Sequence, residues 1–398
     1  MTVEQLAELF REQAGERDRR RMPTLTNLAR TIRGHEAGEH PPGPLYRMRY
    51  AKALRLDMGE LSGTEKDNRN PPWRAPAAEL NGQFTPDDEQ RLIAAASRPA
   101  RIDQTVVDSL ATILAEQRRL EDAIGSAPVL HVVRAQLQTL AGMVTEARGP
   151  LRPEVVDVAG QWNQFSGWLH IAIGDRAAAR TSLDRAAEYA QEIGDTGMAG
   201  TVLSWKAHLA ERAGQVGPMI GMSSAARRDR RGPGRAYDIF QEARGYALAG
   251  EPSRALRLLG EAQDAAAAAD GRDARPWEYY YLQPGFFELE TGLTYVYLGR
   301  DDPGQNALAV EHLTAGLTAL PAGMRRSEWA GEYISHKAVA HLQAGEAEAA
   351  RAAVMDAANV ARSTSSAALL DKLRGIHHRM RAAWPDDSGV VELGDVLL

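Results

Sequence analysis

Residues 168–194, WLHIAIGDRAAARTSLDRAAEYAQEIG, carry a pattern that recurs in this chain of 398 residues. A glycine is followed by a small residue at five positions, an aliphatic residue at nine and alanine at twelve. The three copies are Gly174, Ala179, Leu183, Ala186; Gly250, Ala255, Leu259, Ala262; and Gly345, Ala350, Val354, Ala357. Internal self-similarity of this kind is typical of stacked helical repeats.

Further positions follow the same register. Each glycine has a small residue seven positions before it and a ring four positions before it. These residues are Gly167, Ala243 and Ala338, then His170, Tyr246 and His341. Two partial copies consist of Gly292, Tyr295 and Gly299, and of Ala207, Gly214 and Ala226. The pattern therefore predicts an array of helical hairpins over most of the chain.

The physical reason is that a glycine ends one helix in a left-handed turn at no steric cost. Small residues then allow two helix backbones to cross closely. The pattern resembles the tetratricopeptide repeat, although the glycines at 174, 214, 250, 299 and 345 are 40, 36, 49 and 46 residues apart rather than about 34. The resemblance implies an all-α fold, an α-solenoid of tetratricopeptide-like hairpins.

Composition narrows the class of protein. The chain is 44% hydrophobic and 6% aromatic, has no cysteine and carries a net charge of −6. It lacks an apolar run of about 18 residues and a charged-then-apolar leader, so we expect a cytoplasmic protein without a membrane partner. Without cysteine it has no disulfide and no thiolate site. The negative net charge excludes a bulk polyanion binder, so any nucleic-acid contact must be local.

We expect five segments. Residues 1–63 form a small Arg-rich unit, and 64–86, rich in proline and asparagine, form a linker. Residues 87–150 give connecting helices, two of them over 106–121 and 129–147. The repeat array covers 151–385, and 386–398 form a tail that either docks as a cap or frays.

The first segment predicts short helices over 3–10, 25–36, 45–54 and 58–61. The helix 3–10 has Val3, Leu6, Ala7 and Phe10 on one face. In the helix 25–36 the buried stripe is predicted to be Leu25, Leu28, Ala29 and Ile32, with Thr24 as its N-cap. Asn27, Arg30, Thr31 and Arg33 share the opposite face.

Two motifs in this segment resemble the helix-turn-helix domain of phage-repressor-type (XRE/Cro-like) regulators. Gln5, Leu6 and Ala7 match the family's Q-x-L-A segment, and residues 32–38, IRGHEAG, match I-x-R-W-E-x-G. The family's preceding helix is expected to be missing, and the turn between the motif helices is longer than usual. With the repeats, the chain is similar to actinobacterial transcriptional regulators that join such a domain to a tetratricopeptide-like array.

That resemblance implies binding to double-stranded DNA, as a homodimer, with a peptide or small-molecule effector sensed by the repeats. The expected DNA contacts are Asn27, Arg30, Thr31 and Arg33 to bases or phosphates, and Arg19, Arg20 and Arg21 to phosphates. The alternative for the first four is a merely solvent-facing helix side. The segment 1–63 has 11 Lys and Arg against 9 Asp and Glu, which is only a weak electrostatic footprint.

An aromatic concentration marks the array, and its residues are Trp277, Tyr279, Tyr280, Tyr281, Phe286, Phe287, Tyr295 and Tyr297. It indicates either a ligand pocket, with Trp277, Tyr279, Tyr280 and Tyr281 as binding residues, or a local core. We expect Trp162, Phe165 and Trp168 to be core. The basic run Arg227, Arg228, Arg230, Arg231 and Arg235 indicates a solvated loop between repeats or a contact to phosphate or an acidic partner.

No motif indicates catalysis, a cofactor or a metal site. His336 and His341 are five apart, which misses one helix face, and nucleophile-elbow and phosphate-loop motifs are lacking. We therefore expect a DNA-binding regulator rather than an enzyme. The alternative is a protein-interaction scaffold of tetratricopeptide-like repeats whose helix-turn-helix unit is vestigial and does not bind DNA.

Overall fold

The computed structural model describes residues 2–14, 19, 22–37, 42, 44–54, 86–97 and 102–397. Within these ranges it contains helices, turns and loops but no strand, so the predicted all-α class is confirmed. The chain divides into two compact units, each described here by itself. One consists of Met1–Leu114 and Ala135–Val158, and the other of Ala115–Arg134 and Ala159–Leu398.

The first unit begins with four helices: α1 (Val3–Glu12), α2 (Leu25–Glu36), α3 (Pro44–Leu54) and α4 (Pro86–Ser97). Side chains start the first two. Thr2 and Gln5 form a reciprocal capping box on α1. The Thr24 hydroxyl accepts from the Asn27 backbone N–H, which confirms the predicted N-cap of α2. The predicted helix 58–61 and the linker up to residue 85 lie outside the described residues.

Helices α1, α2 and α3 share one apolar core. Its buried members are Leu6, Ala7, Phe10, Leu28, Ala29, Ile32, Tyr46 and Tyr50. The prediction that Leu25 belongs to this core is wrong, since Leu25 is 39% exposed. It occupies the first position of α2, and helical side chains point towards the N-terminus, so this one projects beyond the packed turns.

The two connecting helices are α5 (Gln104–Ile124) and α6 (Ser126–Glu146). They confirm the predicted helices 106–121 and 129–147 to within three residues. Helix α5 is covalently shared between the units, because residues up to Leu114 belong to the first and residues from Ala115 onward to the second. This second part of α5 is the part that matters for the site below.

Five hairpins follow, each made of a first and a second helix, and all belong to the second unit except for residues 152–158 at the start of the first hairpin. They are α7 (Arg152–Ala172) with α8 (Arg176–Ile193), α9 (Thr196–Arg212) with α10 (Val216–Asp229), α11 (Gly232–Leu248) with α12 (Pro252–Ala267), α13 (Phe286–Leu298) with α14 (Gln305–Ala319), and α15 (Glu328–Gln343) with α16 (Ala347–Ser363). Consecutive hairpins pack on one another. This is the predicted solenoid of tetratricopeptide-like hairpins.

The repeated residues lie at the helix crossings. All nine residues at five, nine and twelve positions after the three glycines are at most 2% exposed. Gly174 has φ +83° and its counterpart Gly345 has φ +79°, so each turn needs the left-handed conformation. A Cβ on Gly167 would lie 2.7 Å from the Leu183 side chain, which explains the small residue seven positions before the turn.

The array ends in α17 (Ala367–Ala383) and α18 (Ser388–Val396). Val390, Leu393 and Leu397 are buried in one cluster with residues of α16 and α17. The tail therefore docks on the last hairpin. No helix within the described part of the chain is long and apolar enough to cross a membrane.

Candidate functional site

The second unit encloses a cavity of about 460 Å³. Its wall comes from the first helices of the five hairpins, from Lys372 on α17, from the last turns of α5 and from the 3₁₀ helix Pro276–Leu282. The second helices stay outside the cavity, apart from Arg176 at the start of α8. An array of hairpins that turns its first helices inward presents a concave surface, which is where repeat proteins hold ligands.

The cavity wall follows the repeat register. Six positions before the turn glycines stand Trp168, His208, Arg244 and Leu293, and nine positions before them stand Phe165, Trp205, Glu290 and His336. All eight line the cavity. Unlike the crossing positions they share no side-chain chemistry, so the register places them and the individual residues set the properties of the site.

Three of the four predicted ligand-binding residues line the cavity. Trp277, Tyr279 and Tyr280 do so, while Tyr281 is buried and stacks on Tyr237 with 4.8 Å between ring centroids. The Trp277 indole also donates to Thr201 over 3.3 Å and packs in a core cluster. The segment is therefore partly core and partly cavity wall, and its role in binding a ligand stays a prediction.

The basic run before α11 holds this aromatic segment in place. The expected loop is wrong: Arg227 and Arg228 lie in α10 and Arg235 lies in α11. Arg230 is only 4% exposed and donates to Asp238 over 2.7 Å and to Glu278 over 2.6 Å. Because Glu278 belongs to the 3₁₀ helix, this ion pair fixes the helix against α11.

Two carboxyl groups near the end of α5 collect hydrogen bonds from distant repeats. Glu121 accepts from the Trp168 indole over 3.2 Å and from the Ser126 hydroxyl over 2.7 Å. Asp122 accepts from the Trp329 indole over 3.1 Å and from the Tyr279 hydroxyl. Every one of these donors is neutral, so α7, α15 and the 3₁₀ helix converge on two acids without supplying a cation.

Burial, reinforced by the neighbouring Asp122, raises the pKa of Glu121 to about 8. Burial also raises the pKa of Asp122. A third carboxyl is close, since Glu328 accepts from the Ser126 backbone N–H over 2.9 Å. Ionisation is therefore disfavoured at this end of the cavity, and Glu121 holds a proton at neutral pH.

Arg118 lies one helical turn before these acids and is 6% exposed. Its guanidinium is 5.6 Å from the Phe165 ring and 5.9 Å from the Trp277 ring. Within the part of the chain that the structure describes, its one polar contact to a side chain is a 3.5 Å approach to the Gln164 amide oxygen. Burial lowers its pKa to about 10, so Arg118 remains a buried cation at neutral pH, and none of the described carboxylates contacts it.

Several other charged groups of the wall form ion pairs. Arg244 donates to Glu290 and lies 3.5 Å from Glu211. Glu332 lies 3.1 Å from Arg212 and 2.6 Å from Lys372. Although burial opposes it, these two cations hold the pKa of Glu332 below its usual range.

The two histidines of the wall remain neutral at pH 7. Burial lowers the pKa of His208 and, together with Lys372, that of His336. These histidines therefore add no positive charge near Glu121 and Asp122.

Sequence reasoning missed most of this site. Trp162 and Phe165 are buried and Trp168 packs against a core cluster, as expected, but Phe165 and Trp168 also line the cavity. Arg118, Glu121 and Asp122 were not singled out at all. A usable signal was present in the chemically variable positions at a fixed distance from each turn glycine.

In the first unit, α2 presents the four residues predicted to contact DNA away from its core. Asn27, Arg30 and Arg33 are exposed and Thr31 is half-buried. The Thr31 hydroxyl donates to the Asn27 carbonyl of the same helix over 3.1 Å. Arg33 pairs with Glu4 of α1, but both side chains are 60% exposed, so this pair is weak.

Arg19 has a local role. Its guanidinium donates to the carbonyls of Arg11 over 3.0 Å and Glu12 over 2.9 Å, at the end of α1. Contact of Arg19 with phosphate stays a prediction. Arg20 and Arg21 lie outside the described residues.

Comparison with known proteins gives limited information. The sequence matches no protein-family model and no curated protein. One similar solved structure is the crystal structure of the APC/C hetero-tetramer Cut9–Hcn1, with 12% sequence identity and a TM-score of 0.34, covering 94% of this chain and 76% of that chain. A TM-score this low carries no argument, so the fold assignment rests on the helix packing described above.

Proposed function

We propose that the chain is a transcriptional regulator that binds an effector in the cavity of its repeat array and binds DNA through its N-terminal helices. The observation that supports effector binding is the cavity, with the uncompensated cation of Arg118 and the buried acids Glu121 and Asp122 in its wall. Buried charges without partners destabilise a fold. Such groups in a cleft are candidates for a functional site. Functional sites commonly lower the stability of the fold because function requires their destabilising residues.

The geometry favours a small molecule or the end of a peptide over a long peptide. The last turns of α5 form part of the concave wall and bond to α7, to α15 and to the 3₁₀ helix. An extended segment lying along the first helices would have to displace them. The volume of 460 Å³ falls within the range of about 300–1,000 Å³ that is typical of small-molecule sites.

Effector binding is tested with the full chain in two steps. Native mass spectrometry shows whether a small molecule is retained from the expression host. A thermal-shift screen with metabolites and short peptides then compares the parent chain with Asp122→Asn, which alters the wall, and with Arg119→Met, which alters an exposed neighbour.

We expect at least one compound to raise the melting temperature of the parent and of Arg119→Met saturably, but not that of Asp122→Asn. No retained molecule and no shift in either step would reject effector binding. Binding only of long partner segments, unaffected by Asp122→Asn, would favour the scaffold alternative.

The exposed side of α2 supports the second part of the proposal, which is DNA binding. Its buried side holds Leu28 and Ile32, while Asn27, Arg30 and Arg33 remain exposed on the other side. A helix of this kind fits the major groove, where guanidinium groups bind guanine or phosphate in a bidentate manner.

Fluorescence anisotropy with the DNA upstream of the chain's own gene, at several salt concentrations, tests this half. Arg30→Ala should cost about 1–3 kcal/mol on the cognate site if Arg30 reads a base. Arg180→Ala, which removes an exposed arginine of α8, is the matched control and should bind like the parent. DNA binding that survives combined substitution of Asn27, Arg30, Thr31 and Arg33 would reject this half.

We further propose that the chain binds DNA as a homodimer, because a single helix-turn-helix unit makes few contacts and dimers read two half-sites about one helical turn apart. Light scattering of the free chain and of its DNA complex gives the stoichiometry. One chain per operator would contradict the homodimer.

A further inference from the structure

Apart from Arg176, whose guanidinium donates to the Arg212 backbone carbonyl over 2.9 Å, the charged residues of the cavity wall discussed above fall into two groups. One group is paired internally: Arg244 with Glu290, and Glu332 with Arg212 and Lys372. The other group comprises Arg118, Glu121 and Asp122 of α5, whose hydrogen-bond partners among the described residues are all neutral. Electrostatic recognition of a ligand falls to this second group, because none of its members is already paired with an opposite charge in that part of the chain.

The acidic members of the second group suit a cation. Glu121 and Asp122 each accept two hydrogen bonds, all from neutral donors. A carboxylate has about four acceptor positions, so each acid keeps capacity for an ammonium group once it is ionised. Binding of an ammonium group at neutral pH would therefore release the proton that Glu121 holds. The rings of Trp168, Trp329 and Tyr279 stand beside them, and aromatic faces attract ammonium groups.

The basic member suits an anion. Arg118 is a buried guanidinium that lines the cavity and contacts Gln164 only marginally, over 3.5 Å. The rings of Phe165 and Trp277 flank it and do not neutralise it. A carboxylate would accept two parallel hydrogen bonds from such a group.

The two halves lie close together. Arg118 is three residues before Glu121 and four before Asp122 on one helix, so their side chains emerge on neighbouring turns of the same face, with Cβ atoms about 5–6 Å apart. A ligand that engages both must carry its opposite charges within a few ångströms, as amino acids and short peptides do.

We propose that the cavity binds a small zwitterion, an aromatic or apolar amino acid or dipeptide, with its ammonium group at Glu121 and Asp122 and its carboxylate at Arg118. This inference rests on the proposed effector-binding function and names the chemical class of the effector. The apolar part of the ligand would lie among Phe165, Trp205, Trp277 and Leu293, which line the same cavity.

The test uses L-tryptophan and phenylalanyl-phenylalanine with the full chain, measured by isothermal titration calorimetry. The dipeptide has two matched derivatives: N-acetylation removes the ammonium group, and C-terminal amidation removes the carboxylate. We expect saturable binding of a zwitterionic probe, weakened about tenfold or more by loss of either charge.

Substitutions assign each charge to its partner. Arg118→Met should weaken the parent dipeptide about tenfold but leave the affinity of the amide unchanged. The double variant Glu121→Gln, Asp122→Asn should weaken binding of the parent dipeptide about tenfold. It should leave the affinity for the N-acetyl derivative unchanged. Arg119→Met, on the exposed side of the same helix, should change neither.

Loss of folding cannot imitate this result, because each variant must keep the affinity for one derivative. The proposal is overturned if neither zwitterionic probe binds, or if the derivatives bind as tightly as the parent dipeptide. Ligands with a single charge that bind in the cavity would overturn the zwitterion while leaving effector binding intact. If no compound binds in the thermal-shift screen and mass spectrometry finds no retained molecule, both the zwitterion and effector binding are rejected.

Discussion

The helix crossings and the cavity wall of the repeat array are built on the same register but differ in chemistry. At the crossings, each glycine is followed by Ala at five positions, by Leu or Val at nine and by Ala at twelve, and all these residues are buried. At the wall, positions six before the glycine hold Trp168, His208, Arg244 and Leu293. Repetition therefore reports packing, whereas variation at a fixed position indicates a role specific to this chain.

The largest loss of stability is expected when a paired charge of the cavity wall is removed. Arg244→Met removes a cation that is 1% exposed and leaves Glu290 and Glu211 buried without it. Loss of one partner of a buried ion pair costs about 3–5 kcal/mol. The free energy of unfolding in urea should fall by this amount. An unchanged value would mean that the paired and unpaired charges of the wall are equivalent.

The unpaired charge should behave in the opposite way. In the same urea titration Arg118→Met removes a buried cation that lacks a carboxylate, so the unliganded chain should be as stable as the parent or more stable. Arg118→Met and Arg244→Met together thus compare an uncompensated and a compensated arginine with the same replacement. A comparable loss for both variants would contradict the distinction.

The pKa of Glu121 predicts how stability depends on pH. Its value in the folded chain is about 8 against an ordinary 4.5, so between these pH values the folded chain holds a proton that the unfolded chain has lost. Stability must then fall as pH rises through this window, by up to about 1.4 kcal/mol per pH unit for one proton.

Glu121→Gln removes that contribution. Urea titrations at pH 5.5 and 7.5 should therefore show a smaller loss of stability in the variant than in the parent, while the contribution from the raised pKa of Asp122 persists in both. Parallel pH profiles for the two chains would show that Glu121 is ionised throughout.

At the crossings the expected effect is steric. Ala255 is fully buried between the helices of its hairpin, and Ala255→Leu should overpack the crossing at a cost of about 1–3 kcal/mol. Its neighbour Leu256 is 42% exposed, and Leu256→Ala should stay within about 0.5 kcal/mol. Thermal unfolding followed by circular dichroism distinguishes the two, and equal effects would contradict the assigned register.

The smallest effect is expected for an exposed arginine on the cavity-lining helix itself. Arg119 pairs with Glu116 while 66% exposed, and exposed pairs contribute about 0–1 kcal/mol. Arg119→Met should thus leave urea unfolding nearly unchanged. A large loss would mean that α5 is sensitive at every position, and the assignment of Arg118 would weaken with it.

The contrast between helix crossings and cavity wall also explains which parts of the structure could be predicted from the sequence. The solenoid, the helix bounds in α1 to α3 and the buried repeat positions follow from local spacing, since helix periodicity and glycine turns act within a few residues. The prediction that Leu25 belongs to the core was wrong because helix ends are less constrained by periodicity than helix centres.

The cavity could be predicted only in part, as the aromatic cluster around Trp277. Its acids are placed by contacts over long separations in sequence, 157 residues between Asp122 and Tyr279 and 207 between Asp122 and Trp329. No local pattern encodes such a pairing. The buried ion pair of Arg230 was not predicted for the same reason, since its partner Glu278 is 48 residues away.

The tight turn between α5 and α6 has a consequence for the order of folding. Gly125 has φ +88°, and a Cβ there would lie 2.3 Å from the Thr364 carbonyl oxygen, while the Ser126 N–H bonds to Glu328, 202 residues further along the chain. During synthesis from the N-terminus these partners emerge from the ribosome last. Because domains fold as their contacts become available, the hairpins can stack one after another, but the cavity closes only when the last of them has been made.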